Sequence, residues 1–339
     1  MTSLLIVDEV RKEFPLSHGL GKRLSGAPRR AVQAVRGVSL ALEQGEILGV
    51  VGESGSGKST LGRLILGLTK PTAGRVLYDG DDIAGIDQMR LRREVQVVFQ
   101  DPYASLNPRH RVEDIIREPL DIHGVGTPAE RRERVQELME RVALGSHRGH
   151  RFPHELSGGL RQRVGIATAL ALRPKLIVAD EPVSALDVSV QAQVLDLLRD
   201  VQQQTGIALV FISHDLSVIR EIAHRVAVMY LGQIVESGPV EQVYNAPAHP
   251  YTRALLSAVP PASPDVEHDP ISLPGEIPTP IDPPAGCSFH PRCPLAQPVC
   301  AQEAPATFDY GGAQRAACHV TAAEHGLGAR SIQDLREPV

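Results

Sequence analysis

The residues with the clearest chemical potential form one loop at positions 52–60: Gly52, Glu53, Ser54, Gly55, Ser56, Gly57, Lys58, Ser59 and Thr60. Glycines in such a loop let the backbone turn so that several N–H groups face a phosphate, and the N-terminus of the following helix adds positive potential. The Lys58 ammonium can reach the β- and γ-phosphates, and the Ser59 hydroxyl can bind Mg²⁺. The loop therefore predicts a site for a nucleoside triphosphate and its metal ion.

A second chemical group is the acidic pair Asp180 and Glu181, which follows the apolar run at 176–179. At the end of a buried strand, Asp180 can bind Mg²⁺ directly or through water, and Glu181 can orient or deprotonate an attacking water. The simpler alternative is an acidic pair that opens a surface loop. Pro182 and the Ser-Ala-Leu-Asp segment at 184–187 favour the catalytic interpretation.

Two further polar residues also follow apolar strands. Gln100 comes after residues 95–99, and His214 comes after residues 208–212 and Ser213. We interpret Gln100 as a contact to Mg²⁺ and water, and His214 as a donor and sensor at the γ-phosphate. The alternatives are plain polar surface for Gln100 and a surface or core histidine for His214. Lys58, Gln100, Glu181 and His214 are thus the predicted catalytic residues.

The secondary structure around these residues must bring them to one place. A strand, the glycine loop and a helix follow one another over residues 46–68, which is the context that makes a phosphate-loop match meaningful. Other strands are predicted at 4–14, 34–40, 95–99, 176–179, 208–212 and 226–231, and helices at 127–144 and 190–205. Strands that alternate with helices predict an α/β sheet, with residues 101–170 as a helical insertion.

Composition narrows the class of protein. The 339 residues are enough for one large domain or two modest ones. The net charge of -5 argues against a general nucleic-acid binder, which is usually basic. No apolar run approaches the ~18–20 residues that span a bilayer, and the first residues lack a secretory pattern. We therefore expect a cytoplasmic protein without a nucleic-acid partner.

The last part of the chain has a different character. Of the 27 prolines, 15 fall between Pro247 and Pro305, and all four cysteines lie in the last sixth of the chain. Because proline removes a backbone donor and restricts φ, we expect irregular structure there. These shifts predict a boundary near residue 245, with a first domain at 1–245 and a C-terminal extension at 246–339.

Taken in order, the motifs resemble those of ABC transporter nucleotide-binding domains over residues 4–245. The matching segments are the Walker A loop 52–60, the Q-loop residue Gln100, the signature Leu-Ser-Gly-Gly-Leu at 156–160, the Walker B strand 176–181, the D-loop 184–187 and the H-loop residue His214. The resemblance implies a P-loop NTPase fold with an antiparallel β subdomain and a helical subdomain, and it implies that ATP and Mg²⁺ are bound.

The same resemblance implies that two such domains pair head to tail. Ser157, Gly158 and Gly159 would then contact ATP held by the partner subunit, so each ATP would lie between two chains. Leu160 departs from the family pattern, which normally has Gln at this position. An aromatic residue near the start of such domains stacks on adenine, and Phe14 is the candidate here. The alternative for Phe14 is a core phenylalanine.

A narrower resemblance is to the ATPase subunits of oligopeptide and dipeptide importers. It is carried by residues 99–108, by the His-Pro-Tyr segment at 249–256, and by 273–278 and 286–294. The basic loop after Phe14 is more like the second, F-type ATPase of these systems than the first. This resemblance implies a heterodimer with a paralogous ATPase, two membrane permeases and an extracytoplasmic solute-binding protein. It implies a peripheral position at the cytoplasmic face of the membrane.

The cysteines Cys287, Cys293, Cys300 and Cys318 have the spacing C-x5-C-x6-C-x17-C. Four thiolates can hold Zn²⁺ or a [4Fe–4S] cluster, and this spacing lacks the short C-x2-C pairs of most zinc sites. The importer family that the chain resembles carries an iron–sulfur cluster at such cysteines. We therefore expect a [4Fe–4S] cluster, with zinc and unligated thiols as the alternatives.

The sequence is compatible with three functions, which different features favour or disfavour. The leading hypothesis is ATP hydrolysis that powers import of peptides or a related solute, such as a nickel chelate or glutathione. A soluble ABC ATPase without a permease is a different class, but such proteins usually have two nucleotide domains or a long coiled-coil insertion. A non-hydrolysing regulatory subunit is disfavoured because Lys58, Asp180, Glu181 and His214 are all present.

Overall fold

The structure, a computed structural model, describes residues 3–16, 30–260 and 269–327. The predicted basic loop after Phe14 falls almost entirely on residues 17–29 and so lies outside the described residues.

The strands are β1 (Leu5–Pro15), β2 (Ala31–Leu42), β3 (Ile47–Val51), β4 (Ala73–Tyr78), β5 (Asp81–Asp82), β6 (Val95–Val98), β7 (Leu176–Asp180), β8 (Ala208–Ser213), β9 (Arg225–Tyr230), β10 (Gln233–Pro239), β11 (Phe308–Gly311) and β12 (Gln314–Ala316).

Helices connect these strands and cover the sheet. They are α1 (Lys58–Ile65), α2 (Gln88–Glu94), α3 (Pro102–Ser105), α4 (Val112–Ile122), α5 (Pro128–Arg141), α6 (Gly158–Leu170), α7 (Val188–Thr205), α8 (Leu216–Ile222), α9 (Val240–Asn245), α10 (Pro250–Ser257), α11 (Pro298–Gln302) and α12 (His319–Glu324). Short 3₁₀ turns occupy Ser146–Arg148, Pro153–Glu155 and His290–Arg292. None of the helices in the described ranges combines the length and apolarity needed to cross a bilayer.

Within the described residues the strands form two sheets. A four-stranded antiparallel sheet has the order β2-β1-β4-β5, and an eight-stranded sheet has the order β11-β12-β10-β9-β3-β8-β7-β6. Strands β6, β7, β8, β3 and β9 run parallel, while β10, β12 and β11 pair antiparallel. The α/β fold with an antiparallel β subdomain and a helical subdomain is therefore confirmed.

The central strands are apolar on both faces because the sheet separates two buried cores. In β3, Ile47 and Val51 belong to one core, while Leu48 and Val50 belong to the other. Successive side chains of a strand point to opposite faces of the sheet. A strand that is covered on both faces therefore has a continuous run of apolar residues in its sequence. This explains why the runs that lead to the functional residues are the strongest strand signals.

The helical subdomain consists of α3 to α6, within the predicted limits of 101–170. Its clearest sequence signal is the start of α5. The Thr127 hydroxyl accepts from the Glu130 N–H at 3.3 Å, and the Glu130 carboxylate accepts from the Thr127 N–H at 2.6 Å. This reciprocal capping box, with Pro128 at the first helical position, explains where the helix begins.

The prediction of an irregular extension is only partly correct. Helices α10 and α11 both lie in the proline-rich region, and each begins with a proline, Pro250 and Pro298. Proline is tolerated at the first helical position because the missing N–H would have no partner there. Strands β11 and β12 follow the proline-rich segment, and β12 pairs with β10, so residues of the extension join the main sheet.

Candidate functional site

The Walker A loop connects β3 to α1 and depends on close backbone approach. Gly57 has φ 105, and a Cβ at this residue would lie 2.3 Å from the carbonyl oxygen of Ala34. Any side chain would therefore collide with backbone of β2. Ser54, Gly55 and Ser59 are exposed, whereas Gly52, Ser56 and Lys58 are buried, and Glu53, Gly57 and Thr60 are half-buried.

Lys58 is held inside the loop by main-chain oxygens. Its Nζ donates to the carbonyl oxygens of Gly52 at 2.7 Å and Glu53 at 3.0 Å. Burial lowers the pKa of Lys58, while the carboxylates of Glu181, Asp180 and Glu53 act in the opposite direction. These carboxylates favour the charged ammonium that a phosphate ligand requires.

Ser59 and Asp180 meet at the predicted metal position. The Ser59 hydroxyl donates to Oδ1 of Asp180 at 3.0 Å, although the two residues are 121 positions apart. Burial raises the pKa of Asp180, and the hydrogen bond from Ser59 opposes this shift. Adjacent hydroxyl and carboxylate oxygens are the hard donors that Mg²⁺ prefers, so these two residues fit the predicted ion.

Glu181 is the point where the remaining predicted catalytic residues converge. Nε2 of Gln100 donates to its Oε2 at 3.0 Å, and Nδ1 of His214 lies 3.2 Å from the same oxygen. The Glu181 backbone has φ 48, in the left-handed region that non-glycine residues rarely adopt. Its N–H donates to the carbonyl oxygen of Ile212 at 3.0 Å, which holds this conformation.

The sheet register explains why these residues meet. Val51 pairs with Ser213, Asp180 pairs with Ile212, and Val98 pairs with Ala179. Parallel strands place their carboxyl ends at one edge of the sheet, which is where ligands bind in α/β folds. The loop after β3, the acidic pair after β7, Gln100 after β6 and His214 after β8 therefore share that edge.

The signature segment lies at the start of α6. Ser157 is the exposed N-cap, and a Cβ at Gly159 would lie 2.3 Å from Cγ1 of Val190, so the segment packs closely on α7. Leu160 is half-buried and packs against the larger core. In the described part of the chain, no hydrogen bond joins Ser157, Gly158 or Gly159 to the Walker A loop.

Phe14 lies on β1 and is 40% exposed, so it is not a core residue. It pairs with Val32 of β2, two residues before Ala34, whose carbonyl oxygen meets the Walker A loop. The Nζ atom of Lys12 lies 5.0 Å from the centre of its ring. The ring is thus exposed on the strand pair beside the phosphate loop, and its stacking on adenine stays a prediction.

The sequence prediction omits three residues that contact the site. The Ser184 hydroxyl accepts from Gln100 Nε2 at 3.3 Å. Arg292 and Tyr251, both in the extension, contact Glu53 of the Walker A loop. The motif segments that contain these residues are visible in the sequence, but their contacts with residues 84 to 239 positions away are not.

The four cysteines lie close together but do not form a metal site as they stand. Cys287, Cys300 and Cys318 share one small buried cluster, and the Cys287 N–H donates to the carbonyl oxygen of Cys300 at 2.8 Å. Burial raises the pKa of Cys287 and raises the pKa of Cys293 to about 11. Across the described ranges, no group of three or more His, Cys, Asp or Glu residues has the arrangement of a metal site. The iron–sulfur prediction therefore lacks structural support.

This fold and site define a P-loop nucleotide-binding protein, and comparison with known proteins places it more narrowly. Residues 35–184 match the family described as ABC transporter, and residues 235–300 match the family described as oligopeptide/dipeptide transporter, C-terminal region. The chain belongs to the ABC transporter family, and it is an ATPase of the branch defined by this C-terminal region.

The similar proteins cover nearly the whole chain. The oligopeptide transport ATP-binding protein AppF of Bacillus subtilis is 49% identical over 94% of this chain and 97% of its own length. The dipeptide transport ATP-binding protein DppF of Escherichia coli is 49% identical over 93% of each chain. The dimeric ATP-binding cassette MJ0796, solved with ADP and Pi, is similar in fold with a TM-score of 0.61 and 29% identity, over 70% of this chain and 98% of that one. The predicted family is therefore confirmed.

Proposed function

We propose that this chain hydrolyses ATP to power the import of peptides or a related small solute through a membrane transporter. The observation that carries this proposal is the convergence of Gln100 and His214 on one oxygen of Glu181, beside the Ser59–Asp180 pair. The similarity to AppF and DppF, whose names specify oligopeptide and dipeptide transport, supports peptides as the solute.

The proposed chemistry assigns one task to each side chain. The Walker A backbone from Gly52 to Thr60 holds the phosphates, and Lys58 exchanges its two carbonyl partners for β- and γ-phosphate oxygens. Ser59 and Asp180 hold Mg²⁺, with Gln100 as a further contact, and the ion neutralises charge on the phosphates when bound.

Attack on the γ-phosphate needs a positioned water. Glu181 accepts its proton or orients it, since the carboxylate is only 17% exposed and already lies at the end of the parallel strands. His214 then contacts the γ-phosphate. Because its Nδ1 also lies 3.2 Å from Oε2 of Glu181, the γ-phosphate contact lies next to the residue that positions the water. Phe14 supplies the adenine platform.

The proposed assembly starts from Ser157, the exposed residue of the signature segment. Ser157 faces solvent and, in the described residues, makes no hydrogen bond to its own Walker A loop, so it is free to contact ATP held by a second ATPase chain. We propose a paralogous partner chain, two membrane permeases at the cytoplasmic face, and an extracytoplasmic solute-binding protein. We further propose residues 1–245 as the ATPase domain and 246–339 as the extension.

Co-purification followed by transport tests this proposal. A tagged form of this chain should bring down a paralogous ATPase and two permeases from membranes solubilised in detergent. The complex, reconstituted into vesicles with its solute-binding protein, should take up labelled peptides only when ATP is supplied. A nickel chelate and glutathione serve as competing solutes. Recovery of the chain without any membrane protein would favour the soluble ABC ATPase class instead.

A metal site at the four cysteines is a separate part of this proposal. Four neighbouring soft thiols have the donor type that an iron–sulfur cluster requires. Burial raises the pKa of Cys287 and of Cys293, so a metal would have to displace the protons of these two thiols. We propose a [4Fe–4S] cluster at Cys287, Cys293, Cys300 and Cys318, with zinc and free thiols as alternatives. No step of ATP hydrolysis depends on it.

A further inference from the structure

The C-terminal extension contacts the Walker A loop at one residue. The guanidinium of Arg292 donates to both carboxylate oxygens of Glu53, at 2.8 Å and 3.2 Å, across 239 positions of sequence. The Oη atom of Tyr251 accepts from the Glu53 N–H at 2.9 Å. We propose that Arg292 and Tyr251 are positioning residues for the Walker A loop and that they set its affinity for ATP through Glu53. This inference rests on the ATPase role proposed above.

The Arg292–Glu53 pair has the geometry of a strong interaction. Two parallel hydrogen bonds between a guanidinium and a carboxylate specify both distance and orientation. The Arg292 side chain is only 9% exposed and that of Glu53 is 26% exposed, so water screens the pair less than a surface ion pair. The pair therefore restrains the Glu53 side chain from outside the phosphate loop.

Tyr251 holds the backbone of the same residue. Its ring is fully buried and packs against Tyr230, with centroids 4.7 Å apart, and against Phe289, with centroids 5.4 Å apart. This packing leaves the phenol little freedom, so its oxygen is a fixed acceptor for the Glu53 N–H. Tyr251 comes from α10 and Phe289 from the loop before Arg292, so two segments of the extension share this role.

The restraint reaches the residue that binds phosphate. The carbonyl oxygen of Glu53 accepts from Lys58 Nζ at 3.0 Å. One residue thus contacts the extension through its N–H and carboxylate, and the catalytic lysine through its carbonyl. When ATP enters, Lys58 must leave that carbonyl while the loop keeps its shape. A loop held in place beforehand loses less conformational entropy on binding.

A different contact of the extension provides a matched control. The Ser288 hydroxyl accepts from Arg36 at 2.8 Å and donates to Oε1 of Gln233 at 2.7 Å, so it docks the extension on β2 and β10 without contacting the Walker A loop. Ser288→Ala therefore weakens docking alone. If docking in general were responsible, this variant and the Arg292 variants would behave alike.

The experiment measures ATP affinity and steady-state kinetics of the full chain in its assembled complex. Arg292→Met retains the aliphatic stem, Glu53→Gln removes the partner charge, and Tyr251→Phe retains the buried ring but removes the acceptor oxygen. Because a bidentate charge-assisted pair is lost, we expect Arg292→Met to weaken ATP binding about tenfold and to raise KM similarly, with kcat within about twofold of wild type. Arg292→Lys should be intermediate.

A double-variant cycle tests whether the two residues act as a pair. Glu53→Gln combined with Arg292→Met should weaken ATP binding no more than either change alone. Unchanged ATP affinity in both Arg292→Met and Tyr251→Phe, with a wild-type complex that binds ATP, would overturn the inference. An equal loss in Ser288→Ala would overturn it as well. If Arg292→Met fails to fold, the ATP affinity of Tyr251→Phe is the test: an unchanged affinity overturns the inference. A wild-type complex that does not bind ATP contradicts the proposed function rather than this inference.

Discussion

Nδ1 of His214 lies 3.2 Å from Oε2 of Glu181, and 33 residues separate the two in sequence. The same carboxylate oxygen accepts from Gln100, so the base candidate is held from two sides. This arrangement keeps the carboxylate at the strand ends beside Asp180, where the γ-phosphate of a bound ATP is expected.

Glu181→Gln should abolish most hydrolysis while leaving ATP binding intact. The amide keeps the size and hydrogen-bonding capacity of the side chain but cannot accept a proton, and a general base contributes about 10²–10⁴-fold. We therefore expect a loss of this size in the ATPase rate of the assembled complex, with ATP affinity changed less than about threefold. Hydrolysis at the wild-type rate would show that the assigned role is wrong.

Leu160→Gln should change the ATP site of the partner more than the site built on Lys58. The substitution restores the side-chain amide that the family normally has at the end of the signature. One net hydrogen bond is worth about 0.5–1.5 kcal/mol, so we expect the ATPase rate of the complex to change about two- to tenfold.

The internal control for this variant is the ATP affinity of the isolated chain, which should stay near that of wild type. Leu160 is half-buried against the core, so the unfolding temperature is measured in parallel. An ATPase rate equal to wild type in a stably folded complex would show that the leucine is neutral.

His249 should make the protein sensitive to acid. The imidazole is fully buried, and its Nδ1 accepts from the Tyr251 N–H at 3.1 Å. Burial, with Arg253 as a minor cause, lowers the pKa of His249 to about 3. The unfolded state binds a proton from about pH 6.5 downward while the folded state does not, so the free energy of unfolding falls as the pH falls from 6.5 toward 3.

His249→Asn tests this dependence, since asparagine can cap α10 but does not titrate. We expect a shallower loss of unfolding free energy between pH 7 and pH 5 than in wild type, measured by chemical denaturation. His147→Asn, at an exposed position, is the control and should retain the wild-type slope. If the unfolding free energy has the same pH dependence in all three proteins, groups other than His249 cause the acid sensitivity.

Replacing the four cysteines by serine tests the metal proposal. Wild-type protein purified without oxygen should contain iron and sulfide in equal amounts and show broad visible absorbance, as expected for a [4Fe–4S] cluster. The fourfold variant should lose iron, sulfide and absorbance together. Retained iron content and absorbance in the variant would show that these cysteines do not hold the cluster. Zinc in place of iron in the wild type would show that the site binds zinc instead.

Local sequence features were enough to predict many of the elements. The continuous apolar runs of β3, β7 and β8 are visible because both faces of the sheet are buried. The Thr127–Glu130 capping box predicted the start of α5 for the same local reason. Strand β5, with only Asp81 and Asp82, and strands β11 and β12 have no such signal, because cross-strand pairing rather than side-chain pattern creates them.

The family, the order of the motifs and the identity of the residues at the sheet edge can all be predicted from the sequence. Those features depend on residue type and on short spacing along the chain. Three other features appear only in the folded chain. Arg292 contacts Glu53, Gln100 and His214 both approach one oxygen of Glu181, and β12 joins the main sheet. Such contacts join residues from 33 to 239 positions apart, so packing of the folded chain, and no local pattern, brings them together.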